Sequence, residues 1–194
     1  MKNWADYYES QKEFKELFRV GAYSEVHLSL TDGEFHPKPR EFTSGPDEFE
    51  LEIGNIVAYG IPLWTNGDSF KKLQTKWLPY YGEDLRKRRL DMVKKYCYNN
   101  LDHIPLFVDR GLYFQSFNRF YDAIREFFQA LFISRRKYPI AYDKWIRKQF
   151  YDILHEPRLY HVITDLMEIK NFESIELVEK ADHLRHLLST MVTY

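Results

Sequence analysis

The sequence has a single cysteine, Cys97, among its 194 residues. One thiol forms no internal disulfide and leaves no cysteine set for a zinc site, so packing has to hold the fold together. Cys97 lies in a predicted helix among apolar neighbours, which favours a buried thiol over a reactive one.

Long apolar runs are missing as well. No segment approaches the roughly 18 consecutive apolar residues that cross a bilayer. The residues after Met1 also lack the apolar region of a secretion signal. We therefore expect a cytoplasmic protein with no membrane association.

Neither sign of charge is in excess. The 28 lysines and arginines face 29 aspartates and glutamates, which gives a formal net charge of -1. Broad nucleic-acid binding usually accompanies a basic excess, so we do not expect it here. What the sequence does contain is 44% hydrophobic and 18% aromatic residues, enough for the core of one large domain or two small ones.

Two stretches in the first third of the chain alternate polar and apolar side chains, residues 25–30 and 48–53. A period of two is typical of a strand that is buried on one face. The segment from Gly33 to Pro46 separates them as a loop, since it holds three prolines and two glycines. In the second stretch, the alternation places Glu50 and Glu52 on the same face.

The rest of the sequence predicts an antiparallel helical bundle. Its strongest signal is a run of largely aromatic residues from Phe117 to Phe132 at spacings of three and four, which predicts a helix face at the centre of the core. Cationic residues and then Pro139 end this helix near Lys137. Further helices are predicted over about residues 3–18, 68–73, 83–101, 141–154, 158–169 and 174–192.

Together these patterns predict an α+β fold, in which a small N-terminal β portion is followed by an antiparallel helical bundle. We place the division between residues 66 and 67, which gives an N-terminal portion of residues 1–66 and a helical domain of residues 67–194.

Three short motifs follow one another along the chain. Ile61-Pro62-Leu63-Trp64 comes first, Tyr81-Gly82-Glu83-Asp84-Leu85-Arg86 second, and the segment from Ile133 to Ile146 third. In this order they resemble motifs of nucleotidyltransferase-fold proteins of the aminoglycoside and lincosamide nucleotidyltransferase type, in the helical part that follows the catalytic sheet. The similarity covers residues 22–170. Residues 1–66 would then be a partial or degenerate form of the nucleotidyltransferase-like α/β portion.

The resemblance implies that the chain binds a nucleoside triphosphate between sheet and bundle. A nucleoside monophosphate would pass from it to a small-molecule or protein acceptor, with Mg²⁺. In the third motif, Arg135, Lys137 and Lys144 are implied to neutralise the phosphates. Tyr138 and Trp145 are candidates for stacking on the base, and the alternative is that these aromatic side chains belong to the core.

The catalytic signature of the family is absent from this sequence, which has no Gly-Ser pair and no Asp-x-Asp. Glu50 and Glu52 are the best candidates for a metal-binding carboxylate, and a solvated strand face is the alternative. We therefore expect the chain to be inactive alone, with a second copy or a separate catalytic subunit as its partner.

A second function hypothesis is a non-catalytic helical interaction or dimerisation module, comparable to HEPN-like binding partners. One feature fits either a ligand or a partner. The four cations of residues 86–89 fall in the first turns of a predicted helix, where the helix dipole disfavours them. The alternative is a solvated face of that helix.

Overall fold

The computed structural model of this chain describes residues 2–21, 34, 53–78 and 82–194. The chain divides into two compact units, Met1–His36 and Pro37–Tyr194. The sequence-predicted division between residues 66 and 67 stays a prediction. The helices are α1 (Lys2–Ser10), α2 (Lys12–Arg19), α3 (Asn55–Tyr59), α4 (Ser69–Trp77), α5 (Glu83–Val108), α6 (Tyr113–Ser134), α7 (Ile146–Lys148), α8 (Pro157–Met167) and α9 (Glu176–Met191). A π-helical segment, Gln149–Ile153, continues α7.

The predicted α+β class is wrong, because the described residues are 72% helical and contain no strand. Residues 25–30 and 48–52, on which the β prediction rested, lie outside the described residues. Ile53, the last residue of the second predicted strand, lies with Gly54 in a π-helical turn that leads into α3. Ile53 and Val57 are one helical turn apart, and Val57 is buried. Gly54 lies against the ring of Tyr138. Packing against a residue distant in sequence therefore accompanies helical structure here, where the local alternation predicted a strand.

The first unit contains α1 and α2. The sequence predicted one helix over residues 3–18, and the structure divides it at Gln11, whose backbone is extended. The Oγ of Ser10 and the Nε2 of Gln11 both donate to the carbonyl of Tyr7, so polar side chains occupy an oxygen near the end of α1. No residue of α2 is buried.

The core of the second unit lies between α5, α6 and α9. On α5, buried apolar side chains recur every three or four residues, which is the spacing of one helix face. They are Leu90, Val93, Cys97, Leu101 and Ile104. The predicted aromatic face of α6 is confirmed, since it buries Phe120, Phe127, Phe128 and Phe132. On α9, buried positions fall at Leu177, Ala181, Leu184 and Leu188.

Several helix bounds differ from the sequence prediction, among them the end of α4 at Trp77 instead of residue 73. α5 continues through Pro105 to Val108, because the amide of Asp109 donates to the carbonyl of Pro105 and keeps the last turn closed. α6 ends at Ser134 rather than Lys137, and no helix restarts near residue 141. The chain instead runs without regular structure until α7.

Asn100 and Cys97 of α5 make polar contacts with residues of α6. Asn100 donates to the Oε2 of Glu126 at 2.8 Å and accepts from the Nη1 of Arg119 at 2.7 Å. Cys97 is buried as predicted, and its Sγ lies 3.3 Å from the carbonyl oxygen of Ala123. Burial and the nearby carboxylate of Glu126 raise the pKa of the Cys97 thiol well above its usual value.

The cationic run at the start of α5 is split between interior and solvent. Arg86 and Arg89 are buried, whereas Lys87 and Arg88 are exposed. The Nη2 of Arg86 lies 3.1 Å from the Oε2 of Glu83. The run is therefore not a uniform solvated face.

Candidate binding groove

The segment of residues 135–145, here called the linker, joins α6 to α7 and contains the residues that the resemblance assigned to a nucleotide. Its first turn closes α6. The amide of Arg136 donates to the carbonyl of Ile133 at 3.1 Å, and that of Lys137 to the carbonyl of Phe132 at 3.0 Å. These two bonds form a Schellman motif, with Arg136 in the left-handed conformation at φ 52°.

The side chain of Gln149 is hydrogen-bonded to the backbone of the linker. This side chain is only 1% exposed and makes three hydrogen bonds to linker backbone. The Oε1 accepts from the amide of Ile140 at 2.7 Å, and the Nε2 donates to the carbonyls of Ala141 at 2.7 Å and Lys144 at 2.8 Å. A buried amide with all these contacts satisfied gives an irregular segment a defined conformation.

The segment that begins with Ile53 packs against the middle of the linker. A Cβ added at Gly54 would lie 2.5 Å from Cδ1 of Tyr138, so only glycine fits beneath this ring. The amide of Tyr138 donates to the hydroxyl of Tyr59 at 3.3 Å, and the Nδ2 of Asn55 donates to the carbonyl of Pro139 at 3.2 Å. Burial raises the pKa of the Tyr59 hydroxyl, and the bond from Tyr138 offsets part of that rise.

Three adjoining openings form a groove along α3, the linker and the π-helical segment. The first has a volume of about 400 Å³ and is lined by Ala58, Tyr59, Leu78, Arg136, Lys137 and Tyr138. The second, of about 510 Å³, is lined by Asn55, Ile56, Tyr59, Gly60, Ile140, Lys148, Asp152 and Ile153. The third, of about 630 Å³, is lined by Asp143, Trp145, Ile146, Arg147, Lys148, Tyr151, Asp152 and Tyr160. Because neighbouring openings share lining residues, we treat them as one groove. Each opening by itself has the volume of a small-molecule site.

The structure places the predicted phosphate-binding residues in different surroundings. Arg135 lies 3.5 Å from the Oε1 of Glu156, and both side chains are about one-third exposed. Lys137 lines the first opening of the groove. Lys144 is exposed and outside the three openings, although its carbonyl accepts from Gln149. Neither lysine ammonium has an ionic or hydrogen-bonding partner among the described residues.

The two residues predicted to stack on the base, Tyr138 and Trp145, differ in solvent exposure. Tyr138 is only 4% exposed, and its ring lies against Gly54. Trp145 is 67% exposed on the wall of the third opening and has φ 56°. Of the two, Trp145 therefore has the ring face that a ligand can reach.

The predicted metal ligands Glu50 and Glu52 lie outside the described residues, and their role stays a prediction. Within residues 2–21, 34, 53–78 and 82–194, no three side chains of histidine, cysteine, aspartate or glutamate lie together as a metal site would need.

Sequence reasoning missed Gln149, Lys148 and Asp152. For Gln149 a signal existed. Gln149 lies three residues after Ile146 and four residues before Ile153, next to Phe150. It is therefore a polar residue on the helix face that carries the apolar side chains. Such a residue is buried only with its hydrogen bonds satisfied. Lys148 and Asp152 carry no comparable signal, because their place in the groove depends on how α3 packs against the linker.

The described fold and groove define a helical protein with a charged and aromatic cleft. No family model, no curated protein and no solved structure matches this chain. None of the helices in the described part of the chain has the length and apolar character that a membrane crossing requires.

Proposed function

We propose that this chain is a nucleotidyltransferase-like protein, or the C-terminal part of one, and that it binds a nucleoside triphosphate in the groove. The acceptor would be a small molecule or another protein. The catalytic carboxylates would come from a partner chain, because the sequence has no Asp-x-Asp. We expect no nucleotidyl transfer by this chain alone.

One observation carries the proposal: two lysines that make no ion pair with any described residue line the groove. Lys137 and Lys148 face the first and the second openings, and no anionic or hydrogen-bonding partner occupies either ammonium among the described residues. A triphosphate needs cations of this kind, since charge-assisted bonds to phosphate oxygens are about twice as strong as neutral ones. Lysine serves as a point charge for phosphate.

The proposed Mg²⁺ would bind with the triphosphate, and Glu50 and Glu52 are the proposed protein ligands. Hard divalent cations bind carboxylate and phosphate oxygens together, so the metal requirement is tested with the nucleotide. We expect the affinity for the nucleotide to rise when Mg²⁺ is added.

The test is calorimetric titration of the chain with ATP, GTP and CTP, each with and without Mg²⁺. We expect binding at submillimolar concentrations. Replacing Lys137 or Lys148 by alanine should weaken it by about fivefold, the effect of losing about 1 kcal/mol at a partly solvated ion pair. Lys95→Ala is the matched control, since Lys95 is exposed on α5 and lines none of the three openings. Absence of binding at millimolar nucleotide would overturn the proposal.

A second candidate function, the interaction module, is favoured by a different observation. Ile61, Leu63 and Trp64 are 84%, 98% and 83% exposed. Three large apolar side chains within four residues are an unusual surface for a free protein and are typical of an interface. If a second copy covers them, light scattering after gel filtration should show a dimer that Leu63→Asp converts to a monomer. A wild-type monomer at all concentrations would exclude this candidate.

A further inference from the structure

The third opening of the groove, here called the aromatic pocket, has properties that the phosphate-binding proposal does not use. Its wall includes the exposed indole of Trp145 and the rings of Tyr151 and Tyr160. The indole makes no ring contact with any described residue. A large aromatic face at the edge of a pocket is suited to stacking on a planar ligand.

Hydrogen bonds from Gln149 fix the backbone conformation of Trp145. A tryptophan at φ 56° is uncommon, because its Cβ crowds the following carbonyl in the left-handed region. The surrounding structure holds it there. The carbonyl of Trp145 accepts from the amide of Gln149 at 2.9 Å, and the preceding carbonyl, of Lys144, accepts from the Nε2 of Gln149. The same buried residue that defines the linker therefore also orients the indole.

Aromatic contacts order the two tyrosines that line the pocket. The rings of Tyr151 and Tyr160 meet edge to face with centroids 6.1 Å apart. The guanidinium of Arg147 lies over the ring of Tyr151 at 5.4 Å. The hydroxyl of Tyr151 lies 3.1 Å from the Nε2 of His161. Arg147 is thus positioned by stacking, and its hydrogen-bond donors are left for a ligand.

Two carboxylates complete the pocket. Asp143 and Asp152 line it, and neither makes a hydrogen bond or ion pair with any described residue, although Arg147 and Lys148 line the same pocket. The pocket therefore offers an aromatic face, carboxylate acceptors and a planar donor.

We propose that the aromatic pocket binds the base of the nucleotide and selects guanine. This inference rests on the proposed function. Guanine presents two neighbouring donors, N1–H and the 2-amino group, that pair with one carboxylate through two hydrogen bonds. Its O6 and N7 are the acceptors that arginine recognises in pairs. Stacking on Trp145 orients the plane of the base. Lys148, which lines both the aromatic pocket and the second opening, contacts the phosphates.

The other bases match this set less well. Adenine offers one amino donor at the same edge and places the lone pair of N1 toward a carboxylate, which repels it. Cytosine also has a single amino group beside an unprotonated ring nitrogen. Uracil has one ring N–H between two carbonyl oxygens, so it gives a carboxylate one hydrogen bond and two repulsions.

The test compares GTP, ATP, CTP and inorganic tripolyphosphate in calorimetric titrations of the full chain with Mg²⁺. We expect GTP to bind at least tenfold tighter than ATP or CTP. Trp145→Ala should weaken GTP binding about tenfold and leave tripolyphosphate unchanged, because tripolyphosphate has no base to stack. Circular dichroism of the variant confirms its fold, and Asp109→Asn serves as a control for loss of an exposed carboxylate outside the groove.

A gain of binding gives the sharpest readout. Xanthine carries a carbonyl oxygen where guanine has its 2-amino group, so an asparagine, with one donor and one acceptor, complements it. Asp143→Asn or Asp152→Asn should therefore lose GTP binding and gain binding of xanthosine triphosphate, which a misfolded protein would not do.

The outcomes separate the two proposals. Equal affinity for all triphosphates and for tripolyphosphate would overturn the guanine inference and support the phosphate-binding groove. Preference for ATP or CTP would also overturn the inference alone. If none of the four probes binds, the proposed function falls and the inference falls with it.

Discussion

Gln149 provides the most direct test of how the groove is held. Replacing it with leucine keeps the approximate size of the side chain and removes all three hydrogen bonds to the linker. At about 1 kcal/mol for each lost bond, and up to about 3 kcal/mol for a group left buried and unpaired, we expect a loss of about 2–4 kcal/mol. The apolar surface that leucine buries offsets only part of this.

Urea unfolding followed by circular dichroism measures this loss. With a urea dependence of about 2 kcal/mol per molar, the midpoint should fall by about 1–2 M. Gln115→Leu is the control, because Gln115 is exposed on α6 and its replacement should change stability by less than about 0.5 kcal/mol. A loss below about 1 kcal/mol for Gln149→Leu would refute the view that its three bonds define the linker.

The substitution Gln149→Glu tests the direction of those bonds. The glutamate keeps an acceptor for the amide of Ile140 but presents an oxygen to two carbonyls that need a donor. Burial raises the pKa of such a carboxyl above its unfolded value. The folded state then binds the proton more tightly, so the variant should lose stability relative to the wild type as pH rises from 4 to 7. A pH-independent difference would contradict this.

Three further predictions concern packing and titration. Gly54→Ala should lower the free energy of unfolding by about 1–3 kcal/mol in thermal melts, because its Cβ collides with the ring of Tyr138. Cys97 should not react with a disulfide reagent at pH 8 in the folded protein, since burial raises its pKa, and should react at once in denaturant. The backbone amides of Asn171 and Lys170 lower the pKa of Glu176, so its stabilising effect should be present above its unfolded pKa and disappear as pH falls through its folded pKa.

Two of these have a control that the chain supplies. Gly82→Ser meets no neighbouring atom, so it should leave the melting temperature unchanged or raise it slightly by capping α5. Glu179→Gln removes an acid from the same turn of α9 as Glu176 and should keep the acid-side pH dependence that Glu176→Gln abolishes. Reaction of folded Cys97 at the rate of the denatured chain would show that the α5–α6 interface opens.

The sequence predicted the bundle well because its evidence was local and repeated. Apolar positions three and four residues apart mark a buried face wherever the partner helix lies, so Phe120, Phe127 and Cys97 were predicted as interior from the pattern alone. The same reasoning failed near Ile53, where a stretch of six residues carried the β prediction and a contact with Tyr138, 84 residues from Gly54, accompanies a helical turn.

Only a small part of the candidate groove could be predicted from the sequence. Lys137, Tyr138 and Trp145 could be singled out, because they lie in the motif whose resemblance implies nucleotide binding. Lys148 and Asp152 could not, since their roles depend on α3 lying beside the π-helical segment.

The sequence by itself therefore determined which helix faces are buried and that cationic residues follow the aromatic stretch. Only the tertiary structure decided that Tyr138 is interior and Trp145 exposed, and that Gln149 holds the backbone between them. The physical reason is that burial of an apolar stripe follows from its own periodicity, whereas a side chain in an irregular segment takes its position from hydrogen bonds and contacts with residues elsewhere in the chain.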